Sequence, residues 1–338
     1  MSGAAGMIGT DGRSAGVGSL RRSRDVPLLV ARAREGDPRA VARLVTLVES
    51  NDELLPEIAA ALAPYTGRAQ IIGLTGSPGV GKSTTTNELV RALRARGQRV
   101  GVLAVDPSSP YTGGAILGDR VRMQDHATDP GVYIRSMSSR GHLGGLAAAT
   151  PQAVRVLEGA GCDVVLVETV GVGQAEVEIA SLADTTLVLL APGMGDAIQA
   201  VKAGILEIAD IFVVNKADRE GADATYRDIQ GMIGLAERAP GEWRPQVVRA
   251  VAARGEGIDD ILAAIDKHRS WMAARGELRR RREARAAAEI EAIALGALRD
   301  RLGSLRDGVA LPALAAKVAA GELDPYRAAQ DLLGELEG

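Results

Sequence analysis

Two rhythms of apolar residues alternate along this chain. Short, nearly continuous runs of Val, Leu and Ile recur at 70–75, 99–106, 132–134, 163–168, 186–190, 211–215 and 246–251. Between them, apolar residues return every three or four positions, as Leu89, Val90 and Leu93 do within 84–96. The first rhythm predicts strands covered on both faces, and the second predicts amphipathic helices. Their alternation predicts an α/β fold built on a doubly wound, mostly parallel sheet. Ligands of such sheets sit beyond the carboxyl ends of the strands. Polar residues cluster at those ends here, among them Asp106, Glu168 and Asn215.

The flanks read differently. Residues 1–24 are rich in Gly, Ser and Arg with almost no large apolar side chains, and are expected to be a disordered tail. A helical segment is expected over 25–69. Gly36 stops one helix, Asp37 caps the next and Pro38 takes its first position. Val41, Leu44, Leu47 and Val48 form an apolar stripe on that helix, and a third helix is expected over 52–62. The sheet domain spans 70–276, closed by a helix over 257–275. One long helix then covers 277–305, with Ile290, Ile293, Ala297, Leu298, Leu302 and Leu305 along one side. Such a stripe is expected to meet a partner surface, a second copy first of all. Residues 309–336 read as a helical pair broken at 321–325.

Composition narrows the function classes. Aromatics are 2% of the 338 residues and Phe212 is the sole phenylalanine, so Val, Leu, Ile and Ala must build the core. A net charge of −3 gives no basic field for nucleic acid. The run Arg279–Arg280–Arg281–Arg282 is interleaved with Glu277, Glu283, Glu289 and Glu291 and reads as a solvated helix face. The single cysteine, Cys162, excludes an internal disulfide framework and a thiolate metal cage, and at the head of an apolar strand it reads as a buried structural thiol. No apolar run approaches the roughly 18 residues of a membrane helix, and the N-terminus lacks a signal-peptide core. A cytoplasmic protein without membrane partners is expected.

The chemistry gathers around Gly76–Ser77–Pro78–Gly79–Val80–Gly81–Lys82–Ser83, which fits G-x-x-x-x-G-K-[ST] and is followed by Thr84 at the head of a predicted helix. Strand, glycine loop and helix stand in the order a phosphate cradle requires. Backbone N–H groups converge on phosphate oxygens where glycine removes Cβ, and the helix N-terminus faces the same anion. Lys82 can reach the outer phosphates and the Ser83 hydroxyl can coordinate Mg²⁺. Asn215–Lys216–Ala217–Asp218 fits N-K-x-D at a strand end. A carboxylate at Asp218 can accept from guanine N1–H and from its 2-amino group, and adenine lacks that pair of donors. Lys216 can lie along the base and Asn215 can tie the loop to its neighbours. In Glu168–Thr169–Val170–Gly171 the carboxylate can hold a Mg²⁺ water and the Gly171 N–H can bond a γ-phosphate. Ras-type GTPases carry Asp rather than Glu there. Asp106 and Asp119 are further candidates on the Mg²⁺ side.

Taken together, Gly73 to Thr84, Val105–Asp106–Pro107–Ser108–Ser109–Pro110, Gly113 to Arg120, Ser138–Ser139–Arg140–Gly141, Glu168 to Gln174 and Asn215 to Asp218 resemble the MeaB-type GTPases associated with methylmalonyl-CoA mutase. The resemblance runs from about residue 26 to the end. It implies a homodimeric G-protein chaperone that couples GTP binding and hydrolysis to cofactor loading and protection of adenosylcobalamin-dependent methylmalonyl-CoA mutase. It implies GTP/GDP and Mg²⁺ as ligands, with Lys82 and Ser83 on phosphate and metal, and Asp106, Asp119 and Glu168 around Mg²⁺ and the switches. Residues 192–202 resemble the family's additional loop facing the mutase, and the C-terminal helices at 277–338 its dimerisation arm.

Two departures stand out. GTPases commonly carry Ser-Ala in the last guanine-contacting loop, whereas Ala252–Ala253 occupies that place, ahead of Arg254–Gly255–Glu256–Gly257. Backbone N–H groups can still meet guanine O6, but the lost hydroxyl is expected to loosen the loop. Val172 stands where a Ras-type enzyme has its water-orienting glutamine, so hydrolysis is expected to be slow until a partner orders the switches. Arg120 and Arg140 are candidate internal charge stabilisers. The competing readings are a metal-insertion GTPase, a small-molecule kinase or transport ATPase, and a non-enzymatic scaffold whose signal is its nucleotide-bound shape.

Overall fold

The computed structural model describes residues 24–50, 53–106, 124–126, 128–138, 149–169, 175–193, 206–306 and 310–334. The chain divides into two compact units, Met1–Leu278 and Arg279–Gly338.

Three helices open the first unit: α1 (Val26–Arg34), α2 (Pro38–Glu49) and α3 (Leu55–Leu62). Their ends follow from short polar side chains. Asp25 accepts from the Leu28 N–H at 3.0 Å and Asp37 from the Arg39 N–H at 2.9 Å, satisfying donors that a helix start leaves orphaned. Gly36, between α1 and α2, has φ 91°, the left-handed value that favours glycine. The stripe Val41, Leu44, Leu47 and Val48 is buried, as its spacing predicts.

Seven strands follow: β1 (Gln70–Thr75), β2 (Val100–Asp106), β3 (Val132–Ser138), β4 (Val164–Glu168), β5 (Thr185–Leu190), β6 (Ile211–Val214) and β7 (Gln246–Arg249). Between and after them run α4 (Lys82–Ala95), α5 (Thr150–Gly159), α6 (Ala175–Leu182), α7 (Ala222–Leu235) and α8 (Ile258–Arg275). The sheet order is β3-β2-β4-β1-β5-β6-β7 and every described pairing is parallel. β1, β4, β5 and β6 are buried at every position, which is why their sequences are apolar runs rather than alternations. From β1 the chain lays β2, β3 and β4 on one side, then crosses to place β5 on the other. β1 is therefore the switch point, where a crevice opens at the carboxyl ends of the strands.

Side chains alternate between the two faces. Ile71, Leu103, Val165 and Val167 pack with α1–α3, α5 and Ile179 of α6. Ile72, Leu74, Val102, Leu166 and Leu189 pack with Leu89, Val90 and Leu93 of α4 and with Ile258, Ile261 and Ile265 of α8. Phe212 is fully buried with Val188, Val214 and the α7 residues Ile229 and Ile233. The core is aliphatic, as the composition requires.

β3 runs four residues past the stretch its apolar residues mark. It is an edge strand, paired to β2 from Val100↔Val132 to Asp106↔Ser138. Its polar Arg135 bonds Glu49 and, at 3.3 Å, Thr46 of α2, so an ion pair replaces apolar burial there. β7, the other edge, ends two residues short of the predicted run, and α3 begins three residues later than expected. Cys162 is buried, and burial pushes its thiol up to about 12.

In the second unit, α9 (Glu277–Arg306) leads to α10 (Ala310–Ala319) and α11 (Pro325–Gly334). Gly321 turns the chain at φ 75°, and Asp324 caps α11 through the Tyr326 and Arg327 N–H groups, both at 3.0 Å. Ile290 and Ile293 of α9 are 68% and 61% exposed. Among the described residues, no helix is long and apolar enough to cross a membrane.

Leu44→Ala removes a fully buried side chain of the helical preamble. It is expected to lower unfolding free energy by about 2–5 kcal/mol, measured by urea denaturation. The raised Cys162 thiol binds its proton more tightly in the folded protein, so its contribution to stability is complete below about 9 and is lost as pH rises towards about 12. Unfolding curves taken across that range should steepen their decline in the wild type relative to Cys162→Ala.

Candidate functional site

The crevice at the end of β1 is lined by the 76–81 loop. Gly76 has φ 136°, and a Cβ there would lie 2.3 Å from the Leu189 carbonyl oxygen. Gly81 has φ 99°, and its Cβ would lie 2.3 Å from Asn215 Nδ2. Both positions therefore admit only glycine, one for the approach to β5 and one for the approach to the loop after β6. Gly81 is also the N-cap of α4 and offers no capping side chain, so the first-turn N–H groups face the loop. Ser77 is half-buried, Pro78 and Gly79 are exposed, and Val80 sends its side chain into the core.

Lys82 is buried and its Nζ donates to the Gly76 and Ser77 carbonyls at 2.6 and 3.1 Å, which holds the ammonium at the loop's centre. Ser83 Oγ donates to Glu168 Oε1 at 2.6 Å and Thr86 Oγ1 to Glu168 Oε2 at 3.1 Å. The residue at the end of β4 thus stands against the first turn of α4, although 85 residues separate it from Ser83. Thr84 is exposed. Thr169 follows Glu168 and donates to Thr75 Oγ1 at 3.0 Å, tying the ends of β4 and β1 together. Asp106 ends β2, two residues past the Ala104↔Glu168 pair, so its backbone reaches the same sheet edge. Asp119, Gly171, Arg120 and Arg140 lie outside the described residues.

A hydroxyl and a carboxylate side by side at a phosphate-type loop form a set of hard oxygen donors. Mg²⁺ is held by one or two such side chains with phosphate and water oxygens, and Ser83 with Glu168 fit that role. Among the described residues no group of three or more His, Cys, Asp or Glu side chains converges.

Asn215, at the end of β6, is buried and joins three loops. Its Nδ2 donates to the Val80 carbonyl at 2.8 Å and its Oδ1 accepts from the Ala252 N–H at 3.0 Å. Lys216 has φ 55°, the one positive value among the described non-glycine residues, a conformation that costs of order 1–3 kcal/mol. Its Nζ reaches the Gly79 carbonyl at 2.7 Å. The Ala217 N–H donates to the Ala250 carbonyl at 3.0 Å, and Asp218 is paired with Arg254 at 3.0 Å. Ala252 is buried and Ala253 exposed in the turn that follows β7. Val251 and Glu256 close that turn by exchanging backbone hydrogen bonds at 3.0 and 3.3 Å.

A family model, Methylmalonyl Co-A mutase-associated GTPase MeaB, matches residues 41–306. The chain belongs to the MeaB family. Relatives agree along nearly the whole length. A protein of Pyrococcus abyssi (strain GE5 / Orsay) is 48% identical over 313 residues, covering 92% of this chain and 96% of its own. Methylmalonic aciduria type A homolog, mitochondrial, of Mus musculus is 34% identical over 93% of this chain and 80% of its own. A crystal structure described as LAO/AO transport system kinase is similar at a TM-score of 0.67 and 28% identity, covering 93% of this chain and 98% of that one. Membership in the MeaB family carries guanine-nucleotide binding and GTP hydrolysis on a P-loop fold.

Of the residues read from sequence, those of the 76–83 loop, Glu168, Asn215, Lys216, Asp218 and Ala252 come together at one sheet edge. Arg254 and Thr86 were missed. Thr86 stands three residues past the end of the motif, and Arg254 meets Asp218 across 36 residues with no local signal. Asn215→Ala in this MeaB-family chain removes two buried hydrogen bonds, at a cost of about 1–3 kcal/mol for each partner left unsatisfied. Thermal unfolding should show that loss, and GDP binding followed by calorimetry should weaken more than about tenfold.

Proposed function

We propose that this chain is a GTP-binding and GTP-hydrolysing chaperone that assists adenosylcobalamin loading and protects methylmalonyl-CoA mutase. The observation that supports it most is the fastening of the phosphate loop to the N-K-x-D loop through Asn215 and Lys216. A site that holds both ends of a nucleotide in one rigid frame suits a protein that must tell GTP from GDP and from ATP. The match to a family described as methylmalonyl-CoA mutase-associated supports the mutase as the partner in this reading.

In this reading Gly76, Ser77, Pro78, Gly79, Val80 and Gly81 present backbone N–H groups to the phosphates, with Thr84 at the helix head. Lys82 neutralises the outer phosphates, and charge growing there during in-line attack by water meets an ammonium already in place. Ser83 and Glu168, with Asp106 and Asp119, hold Mg²⁺, which supplies further charge stabilisation when bound. Asp218 reads the guanine edge, and the Ala252 and Ala253 N–H groups face O6. Gly171 senses the γ-phosphate and passes its loss to the neighbouring loops. Hydrolysis is slow alone and rises when the mutase orders those loops. Residues 25–69 brace the 70–276 domain, residues 192–202 meet the mutase, and 277–338 pair two copies in the cytoplasm.

The rival readings find less support. His268 is fully buried with Nδ1 3.0 Å from Thr185 Oγ1, and the Cys162 thiol sits at about 12, neither arranged as a ligand for a transferred metal. An adenine-dependent kinase or transport ATPase has no use for an N-K-x-D loop.

Binding of GDP should exceed that of ADP by at least about a hundredfold, because a site built on paired hydrogen bonds rejects the base that lacks the donors. The decisive experiment mixes the purified chain with an adenosylcobalamin-dependent methylmalonyl-CoA mutase. A complex whose affinity differs between GDP and a non-hydrolysable GTP analogue, with faster GTP turnover on mixing, is the expected result. Rapid turnover by the chain alone, or no complex in either nucleotide state, overturns the proposal.

A further inference from the structure

Asp218 lies 33% exposed at the rim of the crevice, and its carboxylate does not stand alone. Arg254 Nη2 donates to Asp218 Oδ2 at 3.0 Å, while Arg254 Nη1 lies 3.9 Å from Glu256 Oε1. The arginine's backbone is fixed as well. Its N–H donates to the Val251 carbonyl at 2.8 Å, inside the turn that Val251 and Glu256 close. The first residue of that turn, Ala252, has no hydroxyl to offer the carboxylate, and it spends its N–H on Asn215 Oδ1 at 3.0 Å.

We infer that Arg254 is a positioning residue for guanine recognition: it aims the Asp218 carboxylate from the turn where the Ala252 side chain supplies no donor. An ionised carboxylate offers about four acceptor positions over two oxygens, so one guanidinium N–H on Oδ2 leaves room for the two donors of a guanine edge. An unbraced Asp side chain rotates about two bonds, and each rotamer lost on binding weakens recognition. Arg254 removes part of that cost beforehand. The ion pair is partly exposed and worth little to the fold itself, so its consequence falls on the orientation of the group it holds. This inference rests on the guanine-nucleotide reading proposed above.

The test measures affinities of the full chain for GDP and for IDP, whose base lacks the 2-amino group, by calorimetry. Arg254→Ala is expected to weaken GDP about fivefold, the scale of an exposed ion pair, and to shrink the preference for GDP over IDP. Arg254→Lys should restore part of both. In an Asp218→Asn background, whose amide suits the 2-oxo edge of XDP, adding Arg254→Ala should leave XDP affinity unchanged, because the charge pair is already gone. Equal losses for GDP, IDP and XDP would mark a general loosening of the turn and overturn the inference. GDP binding that is unchanged or tighter in Arg254→Ala also overturns it while leaving the guanine reading intact. A wild-type chain that does not bind GDP overturns both.

Discussion

The carboxamide of Asn215 donates 2.8 Å to the Val80 carbonyl and accepts 3.0 Å from the Ala252 N–H, and through those two bonds the loops after β1, β6 and β7 hold one shape. An amide suits this place because it presents a donor and an acceptor on one planar group. A carboxylate could not donate to Val80, and an aliphatic side chain would orphan both buried backbone groups. The contact is so close that Gly81 can carry no Cβ. Lys216 adds a second tie across the same gap, at the cost of a left-handed backbone. Strain at one residue and a glycine at another are the local consequences of bringing the loop after β1 and the loop after β6 into contact.

What lets the loops meet is the sheet. With β1 between β4 and β5, the chain leaves its first strand towards one edge and returns towards the other. The carboxyl end of β1 is the place where no crossover covers the crevice. Glu168 arrives there from β4, against Ser83 and Thr86, and Asn215 arrives from β6. Aliphatic layers on both faces keep the strands in register, so these side chains are set by a close-packed interior.

Two sets of contacts meet at the carboxyl end of the sheet, one around the 76–83 loop and one in the turn after β7. In the first, Ser83 donates to Glu168 at 2.6 Å and sets two oxygen donors side by side. In the second, Ala252 carries no hydroxyl, and Arg254, two residues on, donates to the Asp218 carboxylate at 3.0 Å. The Val251–Glu256 bridge and the Arg254–Asp218 pair are the contacts that close this turn.

By itself the sequence determined most of the elements and the family to which the chain belongs. Buried parallel strands must be apolar throughout, helices must repeat every three or four residues, and a phosphate loop needs glycine at fixed spacing, so each leaves a local signature. Edge strand β3 escaped at its second half because Arg135, bonded to Glu49, replaces the apolar residues that would mark it. Tertiary structure alone decided which carboxylate meets Ser83, which loops Asn215 joins, and that Arg254 finds Asp218. Those are contacts between residues 36 to 135 positions apart. No periodicity encodes them, because they depend on strand order, and strand order is chosen by how the two helical layers pack.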